Sequence, residues 1–167
     1  MSFITSGVIG VNLTETVAGT GTLSDQGNQY KVGTIALADE GQTFMYVHAA
    51  GAVDQYDFVS IDEDGEATAL ADAGGAAGHT LGVAQTALAD NDFGWVCVDA
   101  PKGGVNGNIL ASCAADTEAL FTTGTAGHVD DATSAGAIRL VGVVAVAAAP
   151  AANTNKEIIM RNARFQS

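Results

Sequence analysis

Residues 93–98 read Phe-Gly-Trp-Val-Cys-Val, and their alternation decides the fold. A strand turns successive side chains to opposite faces, so Phe93, Trp95 and Cys97 share one face and Gly94, Val96 and Val98 the other. Both sets are apolar or small, as in a strand covered on two sides. The large area and single donor of Trp95, with Phe93 beside it, suit a core or a subunit seam better than an open face. Pro101 and the glycines of PKGGVNGN, residues 101–108, are expected to end the strand.

The same period recurs outward in both directions. In TFMYVHAAG, residues 43–51, Phe44, Tyr46 and His48 alternate with Met45, Val47 and Ala49. YDFVSIDEDGEATALA, residues 56–71, breaks at Asp64-Gly65 and predicts a hairpin. DAGGAAG, residues 72–78, reads as a surface loop, HTLGVAQTALA as the next strand, and Asp90, Asn91 and Asp92 as a turn. IRLVGVVAVAAA, residues 138–149, is the strongest central-strand candidate, because its four β-branched valines disfavour a helix. NKEIIMRNARF, residues 155–165, predicts an edge strand or a short helix. The chain is therefore expected to be all-β, a small barrel or sandwich with an extended N-terminal arm.

Composition limits how such a fold holds together. The chain has 167 residues, the size of one domain, but 31 are alanine and 21 glycine. Alanine buries little area and glycine loses much entropy on folding, so the core is modest and self-association is expected to supplement it. Residues 1–29 lack helix-forming composition yet carry Phe3, Ile4, Val8 and Ile9. They read as an arm laid over the body or a neighbouring subunit, with residues 30–167 as a single β-rich domain. The domain closes on a docking segment in which Ile158, Ile159 and Phe165 stand among Lys156, Arg161 and Arg164. Three of the chain's six basic residues fall there, placing apolar anchors beside guanidinium donors that carboxylates accept well.

A formal charge of −13, from 19 acidic against 6 basic side chains, makes nucleic acid and anionic membrane surfaces unattractive partners. No apolar run approaches the roughly 20 residues that span a bilayer, and the first residues do not form a secretory leader, so synthesis in a cytoplasm is expected.

Little in the chain points to chemistry. His48, His79 and His128 are the available neutral-pH bases, and each reads as a surface or interface residue. Asp62, Glu63, Asp64, Gly65 and Glu66 gather carboxylates but lack the spacing of a calcium loop, as do Asp90, Asn91 and Asp92. Cys97 and Cys113 have no Cys-x-x-Cys or Cys/His setting and are expected to stay reduced and buried. No catalytic, cofactor or metal residue is assigned, and no enzyme activity is expected.

The order YDFVSIDEDGEATAL, GHTLGVAQTALADNDFGWVCVDAP, AGAIRLVGVVAVAAAP resembles the decoration, or cement, proteins of tailed-bacteriophage heads over about residues 30–149, with Gly82, Val83, Phe93, Gly94, Trp95 and Val96 carrying the likeness best. The resemblance implies a non-enzymatic virion protein on the outer capsid surface. Such a protein binds the major capsid protein, often as a homotrimer, and stabilises the lattice. A carbohydrate-binding β-module, using Trp95, Phe93 and Tyr46 as a stacking platform, and a tail or fibre-base protein are the alternatives. A small hydrolase would need two histidines, or one with a carboxylate pair, converging in a cleft.

Overall fold

The computed structural model describes residues 11–19, 30–72, 78–115, 119–149 and 154–166. Among them the regular structure is entirely strand: β1 Ile35–Leu37, β2 Thr43–Ala49, β3 Phe58–Ile61, β4 Glu66–Ala69, β5 Thr80–Ala84, β6 Phe93–Ile109, β7 Leu120–Thr122, β8 Val129–Asp130, β9 Arg139–Ala145 and β10 Thr154–Gln166. No helix long and apolar enough to cross a membrane occurs among the described residues.

The all-β expectation holds, but the architecture is not one regular barrel. Ten strands form a mixed sheet whose pairing returns on itself twice through β6. One circuit runs β2–β4–β3–β5–β6 and back to β2; the other runs β6–β10–β9–β7–β8 and back to β6. Residues 93–99 of β6 serve the first circuit and 100–109 the second. The predicted hairpin lies where expected, with Val59, Ser60 and Ile61 opposite Ala69, Thr68 and Ala67.

The alternation of FGWVCV sorts side chains as read. Phe93, Trp95 and Cys97 join a large cluster with Phe44, Tyr46, Phe58, Val83, Ile109, Ile158 and Met160, which draws on both circuits. Val96 faces a second cluster with Val47, Val59, Ile61, Ala84 and Leu88. Strands covered on both faces let short side chains fill the first circuit, which is how an alanine-rich sequence still builds a core.

Two expectations need correction. The strand at 93–98 does not end at Pro101: β6 continues to Ile109 through a bulge, because Ile158 pairs with Val105 and Met160 with Ala100. Gly103 and Gly104 take positive φ there (84° and 78°), so the glycines bend the strand instead of ending it. NKEIIMRNARF is neither an edge strand nor a helix, since β10 lies between β6 and β9 with Ile158 and Met160 fully buried. The segment 138–149 supplies β9, a central strand between β7 and β10 as expected, although Val146 is exposed and Val141 and Val144 half-buried, so one of its faces stays open.

Part of the arm is laid over the body. Val17 exchanges backbone hydrogen bonds with Phe93, both 2.8 Å, and Val11, Leu13 and Val17 pack against the large cluster. Phe3, Ile4, Val8 and Ile9 lie outside the described residues.

The two circuits are tied together around Asp57. Its Oδ1 accepts from Asn108 Nδ2 at 2.9 Å and its Oδ2 from the Asp54 amide at 3.0 Å. Beside it the Phe58 amide donates to the Gly127 carbonyl and the Asn108 amide to the Tyr56 carbonyl. Burial raises the Asp57 carboxyl above the ordinary carboxylate range. Asp57→Ala strands two donors and is expected to cost about 1 to 3 kcal/mol. With the folded value raised, the contribution of Asp57 is fully present below the unfolded value and lost as pH rises through the folded one. The wild-type advantage over Asp57→Ala should therefore grow as urea titrations move from neutral pH towards the ordinary aspartate value of 3.8. A shrinking advantage would refute this reading of Asp57.

Candidate functional site

The histidines do not converge. His48, on β2 opposite both Glu66 and Phe93, is buried with its ring 4.7 Å from that of Phe93. Its Nδ1 stands 3.6 Å from Glu66 Oε1, an ion pair only when the ring is protonated, and neither ring nitrogen has a hydrogen-bond partner among the described residues. His79 Nδ1 shares a 2.8 Å hydrogen bond with Ser60 Oγ, and His128 Nδ1 lies 3.0 Å from the Ala126 carbonyl oxygen. The Ser60–His79 pair escaped sequence reading because 19 residues separate its members. It is not a nucleophile and base in a cleft: Ser60 is only 2% exposed on β3, and no carboxylate hydrogen-bonds the ring among the described residues.

The acidic segments are turns. Asp62 Oδ1 accepts from the Asp64 amide at 3.0 Å and the Glu66 amide at 2.9 Å, closing the hairpin while Glu63 and Asp64 remain exposed. Asp92 Oδ2 likewise accepts from the Ala89 amide at 3.1 Å.

The aromatic residues pack inward. Trp95 is 2% exposed, with Tyr30 and Tyr46 both set edge-on at 5.1 Å between ring centroids. Tyr46 and Phe93 are buried beside it, so these rings offer no open stacking platform. A void of about 10 Å³, enough for one water, lies between Glu15, Val17, Tyr30, Tyr46 and Trp95. The Tyr46 hydroxyl is buried without a partner among the described residues, and burial, then the Glu15 carboxylate, pushes it above the ordinary phenol range.

No disulfide joins the two cysteines, and both are buried. Burial pushes the Cys97 thiol up to about 12. Folded protein at pH 8 is therefore expected to resist iodoacetamide at Cys97, with labelling appearing only in denaturant; rapid modification of the folded chain, mapped by peptide mass, would contradict that. Cys113 Sγ and carboxylate oxygens of Asp130 and Asp131 all lie within 4.8 Å of one another, the one such cluster among the described residues that could hold a metal. Sequence reading missed it because the loop brings residues 17 and 18 positions apart together. Burial first, then the Asp131 side chain, raises the Asp130 carboxyl. Both carboxylates already serve the backbone: Asp131 Oδ2 accepts from the Ala114 amide and Asp130 Oδ1 from the Asp131 amide, each at 2.8 Å. A buried thiol beside two such oxygens suits neither an oxygen-seeking cation nor an open catalytic zinc site.

The C-terminal cations are divided. Arg161 donates from Nε and a terminal nitrogen to the Pro101 carbonyl, at 3.0 and 2.8 Å, and so pins the β6 bulge to β10. Arg164 instead lies exposed beside Arg139, and the two line a groove of about 390 Å³ with Val141, Phe165 and Gln166. Ile158 is core, Ile159 half-buried opposite Val144, and Phe165 half-buried against the large cluster. Of the expected interface residues on β10, Arg164 is thus the cation without a hydrogen bond or ion pair among the described residues.

Closure of the two circuits leaves one strand with a single neighbour. Among the described residues β1 pairs only with β2, and it carries two of the three exposed large apolar side chains there, Ile35 at 44% and Leu37 at 63% exposure. Sequence reading did not single it out, because three strand residues between small side chains carry a weak period. No family model, no curated protein and no solved structure matches the chain.

Proposed function

We propose that this protein is a non-enzymatic accessory of a tailed-phage head, binding the outside of the major capsid lattice as a self-associated unit, most simply a homotrimer, and stabilising it. The observation that carries this reading is β1, an unpaired edge with Ile35 and Leu37 exposed on a body whose other described strands all have two or more neighbours. An open edge with apolar side chains is the feature that soluble proteins suppress unless another chain covers it. Two further features support the same reading. The three histidines stand apart, with His79 and His128 each in a local hydrogen bond, and the strongly acidic composition suits a protein that meets other proteins, not the genome.

The reading places β1 against the shell. Ile35→Asp with Leu37→Asp should leave the far-ultraviolet spectrum unchanged, because both side chains are exposed, while lowering co-sedimentation with shells that lack the protein by about tenfold or more. Unchanged co-sedimentation of the folded double variant would remove β1 from the attachment surface. The carbohydrate alternative receives no support from the buried rings of Tyr46, Phe93 and Trp95.

A further inference from the structure

None of the six basic side chains of this chain of net charge −13 forms an ion pair among the described residues, and two of them, Arg139 and Arg164, stand together. On β9 and β10, Arg139 lies opposite Gln166 and Val141 opposite Arg164, so the two arginines are diagonal neighbours on one face. In a sheet that spacing is about 7 to 8 Å, close enough for mutual repulsion and for both guanidiniums to reach one acidic segment. Both are exposed, and neither makes a hydrogen bond or ion pair with any described residue. Arg161, three positions before Arg164, is by contrast satisfied by the Pro101 carbonyl. Val141, on the same face as both arginines, gives the groove an apolar wall beside its two cations.

The same chain carries the opposite charge on a closed turn. In the β3–β4 turn, Asp62 is used up in closing the loop, and that closure holds Glu63 and Asp64 outward as two adjacent exposed carboxylates. They border a trough of about 290 Å³ that also has an apolar side, from Val32 and Met45. A rigid turn presenting two acids loses little entropy when it meets two guanidiniums.

We infer that the Arg139–Arg164 groove of one copy receives the Glu63–Asp64 turn of a second copy. The contact joins two different patches, so it is heterologous, and repeating it closes a ring or extends a chain according to the rotation between copies. The inference rests on the self-association within the proposed function and supplies its contact, but it is independent of whether the assembly attaches to a shell.

The test uses the full-length protein alone, without shells, in sedimentation velocity across a range of concentrations. Wild type should self-associate, and the association should weaken as sodium chloride rises from about 0.05 to 0.5 M. Arg139→Glu with Arg164→Glu, and separately Glu63→Lys with Asp64→Lys, should each raise the apparent dissociation constant about tenfold or more, because like charges then meet across the contact. Mixing the two variants should restore association, since the reversed groove of one then meets the reversed turn of the other. All four side chains are exposed, so circular dichroism should show the folded chain in every case. A monomeric wild type, an arginine variant or an acid variant that associates like the parent, or a mixture that stays dissociated, each overturns the contact. A parallel measurement with shells separates the other occupant. An arginine variant that self-associates normally but no longer binds shells would assign the groove to the capsid surface and overturn the inference while leaving the proposed function standing.

Discussion

Replacing Trp95 with alanine is expected to lower the free energy of unfolding by about 3 to 5 kcal/mol, the range for deleting a fully buried aromatic side chain. The indole is 2% exposed near the start of β6, opposite Tyr46 at the middle of β2, and packed edge-on against Tyr30 and Tyr46. Its loss would enlarge the small void already present between Glu15, Val17, Tyr30 and Tyr46. Tyr46 is held on β2 by its pairing with β6 and cannot collapse fully into the gap, which is why the expected cost lies above simple area loss. The arm should loosen as well, because Val17 lines the same void and holds the segment 11–19 to Phe93. Urea denaturation followed by tryptophan-independent circular dichroism measures the first effect, and limited proteolysis of the arm the second. A loss below about 1 kcal/mol would show that the indole is not the centre of the core.

Gly142→Val is the second large effect. Gly142 has φ of 82°, a conformation that a β-branched residue strongly resists, and a Cβ placed there would lie 2.2 Å from the Arg161 carbonyl oxygen. The clash is with backbone, so no side-chain rotation relieves it. The position lies at the irregularity where β10 gains two residues on β9: Met160 pairs with Val143, but Arg164 with Val141. The strained backbone costs about 1 to 3 kcal/mol and the displaced strand a similar amount, so a total of several kcal/mol is expected. Gly142→Ala should fall between wild type and Gly142→Val. Because the irregularity sets which face Arg164 takes, either variant that still folds should also lose self-association. Thermal melts and sedimentation of the same samples test both, and a Gly142→Val protein with wild-type melting would mean that β9 and β10 are not held in this register.

What the sequence made legible was governed by short-range alternation. FGWVCV and TFMYVHAAG each announce a strand and assign its two faces correctly, because the two-residue period is local and both faces are filled. The turn at Asp64-Gly65 is equally local. PKGG misled because proline and glycine signal both the end of a strand and a bulge within it; the choice falls to Ile158 and Met160, some 50 residues away, which pair across it. NKEIIMRNARF misled for a related reason. Its cations suggested an outer position, but its alternation places Ile158 and Met160 inward between two neighbours with Arg161 outward, and the irregularity between Met160 and Arg164 then turns Arg164 out as well. The candidate site was less visible still. Arg139 and Arg164 become neighbours only through the β9–β10 register, and β1 becomes the unpaired edge only because every other described strand is closed into a circuit.

The most direct measurement of the central claim, that this chain is a phage-head protein, is cryo-electron microscopy of tailed-phage particles purified from cells that express it, combined with quantitative mass spectrometry of the same particles. The account predicts density for this β-fold on the outer face of the head, in fixed proportion to the major capsid protein, with β1 towards the shell and the Arg139–Arg164 groove towards a neighbouring copy. Absence of the chain from purified particles, or its presence only in the tail, would contradict it.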